Sequence, residues 1–366
     1  MYSNTGRKNG TFGYNPGKGG SYPFKLEFWI STDLPVEYRS PYKPYLRNRA
    51  KICYTEGCEQ DSDCKYTEKR ECIMWLADQW KDYEVLDTSC GEKLERWGEY
   101  RLIRPDPQVI WSTRKGHDWD RPNAHYHRSK SGGGNWEFFS LPEEWMISYT
   151  GNGKERHFML KPFSFKHTGL FPEQAVNWDW FTPILQKACA EGRKPRVLNL
   201  FAYTGGATAA AAAAGASVTH VDASKGMVTW ARENAAISGL EEAPIRWLVD
   251  DCVKFAEREI RRGNHYDAII MDPPSYGRGP KGEIWKMEEN IYGFLQLCSE
   301  LLSEDPLFVL LNSYTTGLQP AVLSYMLSTV FVPKFDGHVD ADEVGLPVTG
   351  NGLVLPCGAA GRWQKH

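Results

Sequence analysis

A short apolar run that breaks into a double glycine constrains this chain more than any other stretch: Val197-Leu198-Asn199-Leu200-Phe201-Ala202-Tyr203-Thr204-Gly205-Gly206-Ala207-Thr208. It reads as a buried strand, then a turn tight enough for backbone to approach a ligand, then a close-packed helix over Ala207 to Ala214. The next strand ends at Asp222, sixteen residues past Gly206. In a strand–helix–strand unit, a carboxylate placed there accepts hydrogen bonds from ribose hydroxyls. The pattern binds a nucleoside.

Two absences narrow the choice. A dinucleotide site needs G-x-G-x-x-G, so that a pyrophosphate can sit on the helix N-terminus, and a phosphate-cradling loop needs Gly-Lys-Ser/Thr. The chain has neither at this place. A cofactor with ribose and adenine but no phosphate fits, and S-adenosylmethionine is the common one. An alanine-rich core helix behind a core strand would explain the stretch taken alone; the residues downstream weigh against it.

From Arg196 onward strand and helix alternate, as in a doubly wound parallel sheet. The helix from Gly226 to Ile237 leads to the strand Ile245–Val249, which ends in Asp250-Asp251-Cys252. The helix Val253 to Arg262 leads to the strand Tyr266–Met271, which ends in Asp272-Pro273-Pro274-Ser275-Tyr276. Ligands of such sheets lie off the carboxyl ends of the strands, near the switch in strand order. The glycine loop, Asp222, Asp251 and Asp272 all fall at those ends. A helix over Glu288 to Leu302, a strand over Leu307 to Leu311 and a hairpin about Gly350-Asn351-Gly352 complete the sheet.

The N-terminal part is of another kind. Residues 1–25 are Gly-, Asn- and Ser-rich without periodicity. Cys53, Cys58, Cys64 and Cys72 are spaced C-x4-C-x5-C-x7-C, unlike paired zinc knuckles, so cysteines without a metal are preferred and no metal is expected. A more helical stretch runs from Ile73 to Trp80, and residues 82 to 160 alternate in the β manner. Within them Arg121 to Gly134 reads as a flexible loop with His125, His127, Arg128 and Lys130. It is either a solvated loop or one that touches phosphates and stacks on bases. Phe163 to Trp180 reads as a connector able to close over a site.

The bulk numbers set outer limits. A net charge of -3 and a pI of about 6.3 exclude a globally basic nucleic-acid binder, so any RNA contact must be local. No run of about 18 apolar residues and no apolar signal core occur, so a cytoplasmic protein away from the membrane is expected.

These residues resemble the class I S-adenosylmethionine-dependent methyltransferases. Within them they are similar to the ribosomal large-subunit RNA methyltransferase branch, with its N-F-x-Y-T-G-G motif and DPPxF/Y. The resemblance is carried by Asn199 to Gly206, Val221-Asp222-Ala223-Ser224, Asp251, Asp272 to Tyr276, and Thr168-Gly169-Leu170-Phe171-Pro172-Glu173-Gln174. It covers roughly residues 160 to 330 and is specific as a set. It implies that Phe201, Ala202, Tyr203, Thr204, Gly205 and Gly206 wrap the methionine moiety, that Asp222 holds the ribose, and that Asp251 and Cys252 lie by the adenine. Asp272 would face the methyl. Phe171, Gln174, Ala223 and Ser224 join the cofactor set, and Pro273, Pro274 and Tyr276 stand with Asp272 in the catalytic one.

Two departures from that branch matter. Residues 1–150 match no compact RNA-binding domain. In its cytosine-C5 members a cysteine after the fifth strand attacks the base; here Leu311-Asn312-Ser313-Tyr314-Thr315-Thr316 puts Tyr314 in that place. Cys298 and Cys252 are not obvious substitutes, so direct transfer to a base heteroatom is expected. Tyr276 could stack on a base, although D-P-P-Y enzymes place that aromatic one residue earlier.

The expected fold is α/β, a doubly wound Rossmann-like methyltransferase sheet with a small β-rich N-terminal accessory domain. Residues 1–80 form an irregular Cys-containing extension, 81–160 the accessory domain and 161–366 the methyltransferase domain. Ribosomal RNA is the expected partner, held in part by Arg128, Lys130 and Tyr314, and a homodimer is admissible. The competing readings are methylation of protein or a small molecule, cytosine-C5 methylation, a cofactor-binding scaffold without turnover and, more distantly, a nicotinamide dehydrogenase.

Overall fold

Between residues 74 and 80 the expected helix gives way to a two-residue strand, β1 (Trp75–Leu76), which runs parallel to Val344–Gly345. The Trp75 ring lies 3.6 Å from the Arg362 guanidinium. A segment this short has no helical stability of its own, so tertiary pairing decides. The computed structural model describes residues 74–129, 133–163, 166–278 and 284–366. Cys53, Cys58, Cys64, Cys72 and Lys130 lie outside the described residues.

Period-two alternation builds an antiparallel meander of β2 (Tyr83–Ser89), β3 (Glu92–Trp97) and β4 (Tyr100–Pro105). Of the expected flexible loop over residues 121–134, Ala124–Arg128 and Gly134 are strand instead. β5 (Ala124–Arg128) lies parallel to β4, and β6 (Gly134–Phe138) lies antiparallel to β5. Ala124 and Tyr126 alternate into the core, while His125 and His127 meet Glu92 at 2.6 Å and Glu137 at 2.8 Å. Those carboxylates offset the basic character that suggested a loop. A separate hairpin is formed by β7 (Trp145–Tyr149) and β8 (Arg156–Leu160).

The second half alternates as expected. After α1 (Ala175–Ala190) come β9 (Arg196–Leu200), α2 (Gly206–Ala213), β10 (Ser217–Asp222), α3 (Lys225–Ile237), β11 (Ile245–Val249), α4 (Cys252–Arg261) and β12 (Ala268–Met271). A small hairpin, β13 (Tyr276–Arg278) with β14 (Ile284–Lys286), precedes α5 (Met287–Ser299), β15 (Phe308–Ser313), α6 (Pro320–Phe335), β16 (His338–Val348) and β17 (Leu353–Gln364).

The strands are ordered β11-β10-β9-β12-β15-β17-β16, parallel except for β17, which runs antiparallel to both neighbours. The sheet continues into β2 through the pair Val348 and Val85. Successive residues of β9 serve opposite faces: Val197 packs with α1 and α2, Leu198 with α4, α5 and α6. Both faces are covered, which is why the central strands β9, β12 and β15 read as largely apolar runs. The order reverses between β9 and β12, so their carboxyl ends open the crevice in which the site lies.

Candidate functional site

The loop after β9 is held in a backbone conformation that side chains other than glycine rarely adopt. Phe201 and Tyr203 have φ of 55° and 50°, and Gly205, with φ of 83°, caps α2. Four contacts hold it there. The Phe201 N–H donates to Cys252 Sγ at 3.3 Å, the Ala202 N–H to the Val221 carbonyl at 3.1 Å and the Tyr203 N–H to Asp222 Oδ2 at 2.9 Å. Asn234 Nδ2 donates to the Thr204 carbonyl at 2.9 Å. Such strain persists where the surroundings over-determine it, as at ligand clamps. The other Asp222 oxygen accepts the Ser224 N–H at 2.8 Å, and burial raises the Asp222 carboxyl above its ordinary range.

A second acidic centre lies at the end of β12. Asp272 caps no helix. Burial, and secondarily the Glu173 carboxylate, push its carboxyl up to about 7. The Glu173 carboxyl is itself raised by burial and accepts the Tyr314 hydroxyl at 3.1 Å. Gln174 Nε2 donates to Tyr314 Oη at 2.7 Å, Asn177 Nδ2 donates to Gln174 Oε1 at 2.9 Å, and Arg362 donates twice to Asn177 Oδ1 at 3.0 and 2.7 Å. This buried chain ties the connector to β17 and fixes Glu173 and Tyr314 in the cleft.

The cleft has a volume of about 590 Å³ and continues into a recess of about 50 Å³ beneath the glycine loop. Of the residues expected at the site, Phe171, Gln174, Phe201, Ala202, Tyr203, Thr204 and Gly206 line these spaces. Asp222, Ala223, Asp251, Cys252, Asp272, Pro273, Pro274 and Tyr314 line them too. Four described residues stand off the lining. Gly205 packs against Ala231, Ser224 caps α3 through the Met227 N–H, and Tyr276 is half-exposed on β13. Arg128 is exposed at the end of β5. Asp251 lines the cleft while capping α4 through the Lys254 N–H at 2.9 Å.

Sequence reading missed several neighbours. Trp285 donates from Nε1 to the Pro274 carbonyl at 2.8 Å, and its ring lies 5.2 Å from that of Phe201, so it supplies an aromatic wall beside Asp272. Glu173 sat inside a recognised segment, but its proximity to Asp272 joins residues far apart in the chain. Lys93, Arg104 and Asp106 also line the cleft, Cys357 comes from β17, and Lys166 and His167 come from the connector expected to close over a site. No local signal announces Lys93, Arg104, Asp106 or Cys357.

The donor set suits a nucleoside cofactor without phosphates. The recess at the N-terminus of α2 is lined by Trp178, Phe201, Ile270, Leu310 and neutral amides, with Asp272 its only ionised-type side chain among the described residues. Asp222 offers carboxylate oxygens at the end of the second strand of the unit.

Fold and cleft together define a doubly wound α/β enzyme of the class I methyltransferase type. The chain belongs to the S-adenosylmethionine-dependent methyltransferase family, whose sequence profile matches residues 110–307. S-adenosylmethionine is accordingly its cofactor. A solved S-adenosylmethionine-dependent methyltransferase from Agrobacterium tumefaciens is 36% identical, with a TM-score of 0.74 over 80% of this chain and 94% of that one. A Streptococcus mutans protein described as a candidate for the same activity shares the fold at 18% identity and a TM-score of 0.59, over 78% of this chain and 76% of that one. The ribosomal RNA large subunit methyltransferase K/L of Shewanella frigidimarina is 35% identical over 150 residues, 39% of this chain and 20% of that protein. The chain thus spans about a fifth of the length of the curated relatives it matches.

Proposed function

We propose that this chain methylates RNA, ribosomal RNA first, by direct transfer to a base heteroatom. The observation that carries the reading is Asp272, a half-buried carboxyl at the end of β12 that desolvation pushes up to about 7, lining both the recess and the larger cleft. The cofactor, when bound, supplies a methyl already activated on positive sulfur. What remains for the protein is alignment and the acceptor's proton. Asp272 takes that proton from an amino or ring nitrogen, and the Pro273 carbonyl aligns the same group. Phe201 to Gly206, Asp222, Ala223, Asp251 and Cys252 hold the cofactor, with Phe171, Gln174 and Ser224 around them. Tyr314 and Trp285 border the base, Arg128 with Lys130 contacts phosphates, and Tyr276 is available to a flanking base.

RNA is favoured over protein or a small molecule by the name of the K/L relatives, one of which is 35% identical over 150 residues. Heteroatom transfer is favoured over cytosine-C5 chemistry by the thiols. Cys252 is buried and hydrogen-bonded to the strained loop, and burial pushes the Cys252 and Cys357 thiols up, so neither is a ready thiolate. The reading keeps residues 1–80 as an extension, 81–160 as an accessory domain and 161–366 as the methyltransferase domain. It places the protein in the cytoplasm, and elution volume decides whether it is a homodimer. No helix among the described residues is long and apolar enough to cross a membrane.

The test is transfer of labelled methyl to purified ribosomal RNA, ribosomal subunits and a protein extract, with Asp272→Ala as control. Asp272-dependent label in RNA is expected, and nucleoside analysis identifies the atom. Label confined to protein or small molecules overturns the RNA assignment, and a C5-methylated cytosine overturns direct heteroatom transfer.

A further inference from the structure

The cleft has a cationic wall that the proposed reaction does not use. Lys93 on β3 and Arg104 on β4 stand directly opposite each other in the ladder, and both line the cleft with Lys166. Like charges in facing positions repel, and burial removes the water that would screen them. Two carboxylates offset part of this. Glu95, fully buried, accepts from Arg104 Nε at 2.6 Å and Arg104 Nη2 at 2.8 Å, and lies 3.4 Å from Lys93 Nζ. Asp106 Oδ2 lies 3.3 Å from Lys93 Nζ.

Lys166 is the cation without an ion pair of its own among the described residues, although the charges of Asp106 and Glu95 reach it. Among the described residues its Nζ donates to the Pro105 carbonyl at 3.1 Å and pairs with no carboxylate. An ammonium carries three donors, so two remain for a ligand. The excess charge is felt nearby: burial first, then Arg104, Lys166 and Lys93, hold His167 down to about 4, and burial followed by Lys93 holds Lys166 down to about 8. The same cleft also carries Glu173, Asp222, Asp251 and Asp272, and Glu173 lies near enough to Lys93 and Arg104 for their charges to be felt. A partly desolvated cation whose nearby carboxylates, Asp106 and Glu95, are already engaged by Lys93 and Arg104 gains from a ligand's negative charge.

We propose that Lys166, backed by Lys93 and Arg104, forms an anion subsite of the cleft, which receives a carboxylate or phosphate oxygen. This rests on the reading of the cleft as the site of cofactor and acceptor. The anion has two sources: the carboxylate of the cofactor's amino-acid part, or a phosphate of the acceptor nucleotide.

Calorimetry on the full chain separates them, comparing wild type with Lys166→Gln and Lys166→Arg. The probes are S-adenosylhomocysteine, 5′-methylthioadenosine, which lacks the carboxylate, and inorganic pyrophosphate added to chain saturated with S-adenosylhomocysteine. For a cofactor carboxylate, Lys166→Gln weakens S-adenosylhomocysteine about tenfold and leaves methylthioadenosine unchanged. For an acceptor phosphate, pyrophosphate alone weakens by about that factor. Lys166→Arg retains most of the affinity in either case. Unchanged binding of all three probes by Lys166→Gln overturns the subsite, as does equal loss of S-adenosylhomocysteine and methylthioadenosine, which reports general disturbance. None of these affinities needs turnover or RNA, so failure of the RNA assignment leaves them readable.

Discussion

The Asp222 carboxylate at the end of β10 accepts the backbone N–H of Tyr203 at 2.9 Å, and Tyr203 is one of the two non-glycine residues of the cofactor loop with positive φ. One carboxylate thus shapes the loop and faces the cleft. Asp222→Ala is expected to abolish cofactor binding and to lower stability by about 1–3 kcal/mol, because two backbone donors lose their acceptor. Asp222→Asn, which can still accept one of them, should recover much of the stability but little of the affinity. Calorimetry with S-adenosylhomocysteine and thermal melts check both, and wild-type affinity in Asp222→Ala would remove Asp222 from the site.

Asp272 gives the reaction a pH dependence. Its carboxyl titrates at about 7, and only the carboxylate accepts a proton, so single-turnover rate should rise with pH through about 7 and then level. Glu173→Gln removes the neighbouring negative charge and should move that limb to lower pH. Asp272→Ala should lose roughly 10²- to 10⁴-fold in transfer while cofactor affinity stays within a few-fold. Stability runs the other way. The folded state holds a proton that the unfolded chain releases from about 4 upward, so Asp272's contribution declines as pH rises from about 4 to 7. Melts of Asp272→Asn should lack that component.

Trp285 secures the Asp272-Pro273-Pro274 turn through its bond to the Pro274 carbonyl and its packing on Phe201. Trp285→Ala should cut kcat/KM about tenfold or more, and Trp285→Phe, which keeps the ring but not the N–H, should fall between. A cofactor Kd that changes less than the KM of the acceptor would place the tryptophan on the acceptor side; equal kinetics in all three proteins would exclude it from the site.

Gly206 is required for space. A Cβ there would lie 2.6 Å from the Trp178 ring, which sits on α1 under the first turn of α2. Gly206→Ala should cost about 1–3 kcal/mol by overpacking and weaken the cofactor by displacing the loop. Adding Trp178→Leu should restore part of both, as read by melting temperature and calorimetry. Wild-type stability in Gly206→Ala would show that the contact yields freely.

The chain's own pattern determined the alternation of strand and helix from Arg196 onward and the hairpin about Gly350-Asn351-Gly352. It also placed the acids at strand ends, because each of these is written in neighbouring residues: apolar runs, turn residues, periods of 2 and 3.6. Residues 121–134 misled because composition suggested a basic loop, whereas Glu92 and Glu137, which meet the two histidines, arrive from other strands. Tertiary structure alone decided that Glu173 stands by Asp272, that Trp285 walls the turn, and that Lys93, Arg104 and Lys166 line the same cleft. These neighbours come from segments as far apart as β3 and β14, and burial sets their protonation. Neither distance nor desolvation is encoded in local order; both exist only once the sheet brings the segments together.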